Sequence, residues 1–317
     1  MLLNGLYHLL LILSKFSGSF LNIYDKKYPP VVVFVISCNT IKLPFKSHVA
    51  MLLHSLIIIS VYYIIELSYI LEVIMLRTIL AITFVTIFLI VSIPIWGILF
   101  IVGLFNKHAK DVIGYKCVAW AFGVVAFISG VKYEVHGLEN IPKDKAVLYI
   151  GNHQSFFDVI LGYHICPAVT GFLSKKTFEK VPLLNVWMKM NYCLFLTRTD
   201  PRQDLKLIIK AQEFIKQGIS MFVFPEGTRS KTGEMAEFHE ASFKLSTKTG
   251  CPIVPVCFTN TRAVLEAQQP RIKRAHVIVR FLPSIDPNAL EGDNKKRIGL
   301  YVHDIIEKQL IEDSKLV

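Results

Sequence analysis

The sequence lacks the residue patterns of several common kinds of functional site. Its six cysteines are scattered, with no Cys-x-x-Cys pair and no Cys/His spacing typical of a metal site. A disulfide framework is therefore not predicted, and no metal is expected. The Gly-x-Ser-x-Gly turn of nucleophilic hydrolases and the Gly-Lys-Ser/Thr end of a P-loop are both missing. No nucleic-acid module is recognisable, so nucleic acid is not an expected partner.

Apolar and basic residues are in excess. Of the 317 residues, 53% are hydrophobic, and Lys and Arg outnumber Asp and Glu by 35 to 24, which gives a net charge of +11. The apolar excess lies in the first 131 residues, whereas residues 132–317 have the mixed composition of a soluble α/β domain. The basic excess favours anionic partners such as phosphate esters or acidic membrane lipids.

An uncharged run of 28 residues, Thr78 to Phe105, predicts a membrane-anchoring helix. One helix of that length would measure about 42 Å, more than a hydrocarbon core of roughly 30 Å, so we expect a tilt or a bend at Pro94. A second apolar stretch, Cys117 to Val131, is short for a span. Residues 75–131 are therefore expected to anchor the chain, either as a true span or as helices immersed in one leaflet. Residues 132–317 would face the cytoplasm.

Residues 1–74 differ from both later segments, because charges and Pro29-Pro30 interrupt their apolar clusters. They contain no basic segment followed by a small-residue cleavage site, so they do not read as a signal peptide. Met75 lies just before the long apolar run. We therefore expect the functional chain to begin near Met75 and the upstream extension to be dispensable.

Residues 132–317 alternate short β-rich runs with helical stretches. Predicted strands cover 146–150, 170–173, 193–196, 220–224, 253–258 and 276–281, and predicted helices cover 202–217, 240–248 and 294–309. This alternation predicts an α/β fold with a mixed, largely parallel sheet flanked by helices. Functional groups in such a sheet belong at the carboxyl ends of the strands.

The first strand end carries the motif Gly-Asn-His-Gln-Ser-Phe-Phe-Asp, residues 151–158. On a continuous helix His153 and Asp158 would point about 140° apart, so they can meet only at a bend. Ser155 is a suitable helix N-cap, which would leave His153 on the incoming loop. The carboxylate could then accept from one imidazole nitrogen and leave the other free as a base. The Ser155-x-x-Asp158 spacing is also that of a capping box, which needs no catalysis.

A second motif, Phe-Pro-Glu-Gly-Thr-Arg-Ser at residues 224–230, follows another predicted strand. Gly227 allows backbone amides to approach an anion, Thr228 offers a hydroxyl, and Arg229 supplies a planar fork that suits phosphate oxygens. A Pro-Glu-Gly turn by itself is an ordinary way to end a strand.

The two motifs NHQSFFD and FPEGTRS, about 70 residues apart, together resemble the glycerolipid acyltransferase family, and within it the lysophosphatidic acid acyltransferases. The resemblance implies that His153 is the general base for the acceptor hydroxyl and that Asp158 orients it. The acceptor oxygen would attack the thioester of acyl-CoA or acyl carrier protein directly, with no acyl-enzyme and no cofactor. Acylation of lysophosphatidic acid at sn-2 would give phosphatidic acid.

The same resemblance implies a site that binds the phosphate and glycerol of the acceptor. Its residues would be Glu226, Gly227, Thr228, Arg229, Lys175 and Arg198. Without the resemblance, Lys175 could be a surface charge, and Arg198 could pair with a nearby aspartate. Thr197 departs from the family pattern, because an acidic residue is frequent at that position.

Other functions stay open from the sequence. The acceptor could be glycerol-3-phosphate or another lysophospholipid. The chain could also be a membrane protein that binds lipid without catalysis. A hydrolase is disfavoured, because the nucleophile turn is missing.

Overall fold

The computed structural model describes Ser60, Tyr63 and residues 75–197 and 199–317. The chain divides into two compact units, Met1–Ser68 and Tyr69–Val317, and the described residues from Met75 onward belong to the second. Apart from the helical residues Ser60 and Tyr63, the extension upstream of Met75 lies outside the described residues. Arg198 lies outside them as well, so the predictions for both stay predictions.

Three apolar helices begin the second unit. Helices α1 (Met75–Val91) and α2 (Ile93–Phe105) form one apolar run that is bent by 48°. Pro94 lies in the first turn of α2, where its missing N–H and fixed φ favour the start of a new helix, so the predicted bend is confirmed.

Helix α3 (Lys107–Ser129) is longer than the sequence indicated. The Asn106 side chain caps it by accepting from the Ala109 N–H at 2.9 Å, and Gly130 ends it in the left-handed region at φ 70°. The expectation of a stretch too short to span was wrong, because the helix starts at Lys107 rather than near Cys117. With 23 residues, α3 is long and apolar enough to cross a membrane by length and composition.

The two faces of α3 have different surroundings. Its buried residues recur at helical spacing and make one continuous face: Asp111, Gly114, Tyr115, Val118, Ala121, Val125, Ala126 and Ser129. On the opposite side Trp120 and Phe127 are 61% and 84% exposed. One face of α3 therefore packs on the rest of the unit along its whole length, and the other presents apolar side chains outward.

A seven-stranded sheet forms the centre of the second unit. Its strands are β1 (Lys132–His136), β2 (Leu148–Gly151), β3 (Thr170–Lys175), β4 (Leu194–Leu196), β5 (Ser220–Val223), β6 (Ile253–Thr259) and β7 (His276–Phe281). The order across the sheet is β1-β7-β6-β2-β5-β3-β4. All neighbouring pairs of these described strands are parallel except β6 and β7. The predicted mixed, largely parallel sheet is confirmed.

Helices cover both faces of this sheet. They are α4 (Phe156–Ile165), α5 (Leu184–Met190), α6 (Pro201–Lys216), α7 (Lys244–Thr249), α8 (Gly292–Lys296) and α9 (Ile298–Asp313). Side chains alternate along the strands, so that Tyr149 of β2 packs in the layer with α3 and α4, while Leu148 and Ile150 pack in the layer with α6 and α9. Two apolar layers thus hold the sheet rigidly between them.

The sheet topology determines where a site lies. Strand β2 is the central strand, and it is hydrogen-bonded to β5 on one side and β6 on the other, both parallel to it. The loops that follow these three strands therefore leave the sheet at the same edge. The His153 and Asp158 motif follows β2, and the second motif follows β5.

Candidate active site

His153 and Asp158 meet at the amino end of α4. Ser155 caps the helix in an extended conformation, and Asp158 at N3 completes a capping box. The Asp158 Oδ2 atom accepts from the backbone N–H groups of Gln154 at 2.6 Å and Ser155 at 2.7 Å, and lies 2.9 Å from His153 Nδ1. The predicted bend is therefore present. The capping interpretation and the His–Asp interpretation both hold, because one carboxylate does both.

The Asp158 carboxylate is completely buried, and all its contacts come from donors. Its second oxygen, Oδ1, accepts from the hydroxyl of Thr261, a residue 103 positions further along the chain. A buried carboxylate without partners would be costly, and several donors offset this cost. Asp158 is thus held in place next to His153.

The His153 imidazole has one engaged and one available nitrogen. With Nδ1 donating to Asp158, the neutral ring carries its lone pair on Nε2. Nε2 has no hydrogen-bond partner within the described part of the chain, and the side chain is 16% exposed. The ring stacks on Phe224, with centroids 4.2 Å apart. The available nitrogen is therefore held in a defined direction, and it can act as a base.

Residues of the second motif hold the first motif in place through hydrogen bonds to the backbone of His153. Glu226 accepts from the His153 N–H at 2.6 Å with Oε1 and from the Ala236 N–H at 3.0 Å with Oε2. On the other side, the Ser230 N–H donates to the His153 carbonyl at 2.8 Å. The backbone of His153 is thus fixed at both its N–H and its C=O by one loop.

Glu226 is buried, being only 5% exposed. Burial raises the pKa of this carboxyl, and the two backbone N–H groups oppose the rise by stabilising its charged form. Each Glu226 oxygen accepts from one backbone N–H, so the side chain ties the position of His153 to that of Ala236.

Arg229 lies beside the first turn of α4. Its Nη1 atom is 2.6 Å from Glu266 Oε1, and its guanidinium lies 3.8 Å above the Phe156 ring. Glu266 also accepts from the Phe156 N–H at 2.9 Å. Arg229 is therefore fixed next to the His–Asp pair, with its remaining N–H groups available and about a third of its side chain exposed.

Gly227 and Thr228 make the turn between Glu226 and Arg229. Gly227 has φ 73°, in the left-handed region that favours glycine, and its N–H donates to the Phe224 carbonyl at 3.1 Å. Thr228 is exposed. The exposed Thr228 hydroxyl therefore lies directly before Arg229 in this turn.

Two neighbouring lysines at the end of β3 differ in their contacts. Lys175 ends the strand opposite Leu196 of β4, is exposed, and has no ion-pair partner among the residues that the structure describes. Lys176 is 3.3 Å from Glu179. Of these two lysines, Lys175 is the one available to an anion at this edge of the sheet.

None of the cysteines buried around the sheet suits a nucleophile. Burial raises the pKa of Cys193 and of Cys257 to about 12, and it also raises that of Cys251. These thiols stay protonated at neutral pH, so they would not form an acyl-enzyme.

Thr261 and Glu266 also belong to the site, but they were not predicted from the sequence. Thr261 follows the carboxyl end of β6, so the rule that functional groups lie at strand ends could have indicated it. Glu266 lies in a short 3-10 turn further along the same loop, and no local pattern marks it.

Comparisons with known proteins show which family the chain resembles. A family model described as Acyltransferase matches residues 132–259. A 1-acyl-sn-glycerol-3-phosphate acyltransferase of Borreliella burgdorferi is 30% identical over 186 residues, covering 58% of this chain and 74% of that protein. The Saccharomyces cerevisiae protein of the same name is 30% identical over 208 residues, 65% of this chain and 66% of that protein.

A chloroplastic relative is longer than the matched region. The Brassica napus 1-acyl-sn-glycerol-3-phosphate acyltransferase BAT2 is 32% identical over 163 residues, which are 51% of this chain and 46% of that protein. The chain thus spans less than half the length of this relative.

A solved structure has the same fold. The crystal structure of the 1-acyl-sn-glycerophosphate acyltransferase PlsC from Thermotoga maritima superposes with a TM-score of 0.65 at 23% identity, over 75% of this chain and 95% of that one. This likeness confirms the α/β architecture with its N-terminal helices.

Proposed function

Because this chain belongs to the acyltransferase family, we propose that it moves a fatty acyl group from acyl-CoA or acyl carrier protein to the sn-2 hydroxyl of lysophosphatidic acid, forming phosphatidic acid. The observation that carries the proposal is the His153–Asp158 contact of 2.9 Å at the carboxyl end of β2, with Arg229 fixed beside it. The proposed base and the proposed anion-binding group are thus both held at the amino end of α4, which supports binding of an acceptor with both a hydroxyl and a phosphate.

The His153 imidazole performs the proton transfers in this proposal. Nε2 removes the proton of the sn-2 hydroxyl as its oxygen attacks the thioester carbonyl. The new C–O bond gives a tetrahedral intermediate, which collapses when the C–S bond breaks. The departing thiolate takes the proton from the imidazolium, which regenerates the neutral ring. Asp158 stabilises the transient imidazolium, and such acid–base catalysis contributes about 10²–10⁴-fold.

The acceptor's phosphate is assigned to the available cations at the same edge of the sheet. Arg229 offers a planar fork, and Lys175 an ammonium with no ion-pair partner among the described residues. Arg198 comes shortly after β4 in the sequence and is proposed as a further contact to the phosphate. Gly227 and Thr228 would form a turn beside the glycerol phosphate, with Thr228 contributing its exposed hydroxyl. Glu226 contributes to this site indirectly, because its two backbone contacts hold His153 in place.

Residues 75–131 are proposed to anchor the catalytic domain, residues 132–317, to one leaflet of the membrane. Helix α3 is packed on this domain along its whole length, so it is not free to stand upright across a bilayer. Its outward face carries Trp120 and Phe127, which suit the acyl region of a single leaflet. We place the catalytic domain on the cytoplasmic side and expect residues 1–74 to be dispensable for activity.

The acceptor is tested with purified membranes that contain this protein. Lysophosphatidic acid, glycerol-3-phosphate and lysophosphatidylcholine are each supplied with a series of acyl-CoA lengths and with acyl carrier protein thioesters. We expect the highest kcat/KM with lysophosphatidic acid and a new ester at sn-2. A higher kcat/KM with another acceptor would refute the acceptor assignment, and no transfer to any acceptor would refute the acyltransferase function.

A further inference from the structure

One hydrogen bond to Asp158 comes from outside both sequence motifs. The Thr261 hydroxyl donates to Asp158 Oδ1 at 2.5 Å. Both side chains are fully buried, with 0% exposure. Water therefore does not reach this contact, and the hydroxyl is the sole donor to Oδ1 within the described part of the chain.

The loop after β6 fixes this hydroxyl. Asn260 turns the chain with φ 64° and donates from its side chain to the His276 carbonyl at 2.9 Å. Thr261 then starts a 3-10 turn, in which its carbonyl accepts from the Val264 N–H at 3.1 Å. A β-branched side chain has few χ1 rotamers, so the backbone sets the direction of the hydroxyl.

The two oxygens of Asp158 have unequal surroundings. Oδ2 accepts from the Gln154 and Ser155 N–H groups and from His153, whereas Oδ1 has Thr261. Without the hydroxyl, the carboxylate would lose the contact that prevents its rotation, and its charge would be less stabilised. A carboxylate that can rotate would hold the His153 imidazole less firmly in one direction.

We propose that Thr261 is a positioning residue for the transfer reaction: it fixes the plane of the Asp158 carboxylate, and through it the direction of His153 Nε2. The inference rests on the proposed function, since it assigns a role within that reaction. Thr261 itself does not touch the reacting atoms.

Two substitutions at this position separate the hydroxyl from the shape of the side chain. Thr261→Val keeps the volume and removes the donor, whereas Thr261→Ser keeps the donor. For Thr261→Val we expect kcat to fall about ten- to a hundredfold with KM for lysophosphatidic acid nearly unchanged, because a hydrogen bond to a charged group is lost. The acid limb of the pH profile of kcat/KM, which reports on the base, should also change. Thr261→Ser should restore both values to near wild type.

Thr259→Val is the matched control. Thr259 is also buried, precedes Thr261 by two residues, and its hydroxyl lies near Cys257 Sγ rather than Asp158. Its substitution should leave kcat and the acid limb unchanged. Melting curves show which variants are folded, and Thr261→Ala replaces the valine variant if that one does not fold.

The inference is overturned by any of three results. They are a folded Thr261→Val or Thr261→Ala enzyme with wild-type kcat and acid limb, a folded Thr261→Ser enzyme with the full loss, or an equal effect of Thr259→Val. His153→Ala is assayed alongside. If it is inactive while the folded Thr261 variants behave as wild type, the inference fails and the proposed function stands; an active His153→Ala enzyme would instead refute the proposed function.

Discussion

Glu226→Gln tests whether the second motif acts by holding the first. Glutamine keeps the shape of the side chain but replaces one acceptor oxygen with an NH2 group. Since Glu226 accepts from the N–H groups of both His153 and Ala236, one of these buried donors must lose its partner and face another donor. The substitution therefore displaces the loop that carries His153.

The structure sets the size of this effect. An unsatisfied buried donor costs about 1–3 kcal/mol, and Glu226 is only 5% exposed, so solvent does not replace the lost partner. If that cost appears in the transition state, kcat falls by about five- to a hundredfold. KM for lysophosphatidic acid should change little, because Glu226 is buried and acts on the position of His153.

The assay is kcat and KM at saturating acyl donor, together with the apparent melting temperature in detergent. Glu240→Gln is the control, since Glu240 is exposed and its Oε1 accepts from the Gly299 N–H alone at 3.0 Å. A Glu226→Gln enzyme with raised KM and unchanged kcat would show that Glu226 contacts the acceptor, which would refute the reasoning.

Stability should also depend on pH through Glu226. Burial raises its folded pKa above the ordinary value of 4.5, so the unfolded chain ionises first as the pH rises. The contribution of Glu226 to the free energy of unfolding is therefore fully present below the ordinary pKa, and it is lost as the pH rises through the folded pKa. Glutamine does not ionise. The melting temperature of Glu226→Gln relative to wild type should accordingly increase with pH in this range, and a decrease would contradict the direction of the shift.

Three further tests address the acceptor site and the anchor. Arg229→Lys should raise KM for lysophosphatidic acid about ten- to a hundredfold, because lysine lacks the planar fork, and an unchanged KM would contradict phosphate binding by Arg229. Lys175→Met should raise the same KM, whereas Lys180→Met, an exposed lysine of the following turn, should not; equal effects would show that Lys175 is a plain surface charge. Trp120→Asp combined with Phe127→Asp should shift the protein from the membrane fraction to the soluble fraction after sonication, because charge in an acyl region is costly, and full retention would contradict the lipid-facing side of α3.

Much of this fold follows from local sequence patterns. Strands such as β5 and β6 are short, apolar and bounded by turns, and Ser155 and Asp158 have the spacing of a capping box. These features depend on a few neighbouring residues, so each can be predicted from its own segment of the sequence. The bend at Pro94 is predictable for the same reason.

The features that were not predicted from the sequence depend on contacts between distant residues or lie in segments of mixed composition. Strand β1 was not predicted, because Lys132 and Glu134 interrupt its apolar residues and its pairing with β7 supplies the stability. The partner of Asp158 at Thr261 is separated from it by 103 residues. Glu266 is identified as the partner of Arg229 only by the structure, which brings their two loops to the same edge of the sheet.

The reason is physical. A helix cap or an apolar alternation is stabilised by neighbours in sequence, whereas the carboxylate at Asp158 is stabilised by donors that the sheet order brings together. The candidate base and its orienting partner could therefore be predicted from one motif. The donors that complete their surroundings could not, because nothing in the local sequence indicates which loop follows the adjacent strand.

The most direct test of the central claim compares two histidine substitutions in the same membranes. His153→Ala removes the candidate base, and His136→Ala removes a 41% exposed histidine on the edge strand β1. Formation of phosphatidic acid from lysophosphatidic acid and acyl-CoA should fall by about 10²–10⁴-fold or more for His153→Ala and stay at wild-type level for His136→Ala. A His153→Ala enzyme that keeps about a tenth or more of the wild-type kcat would contradict the assignment of His153 as the base.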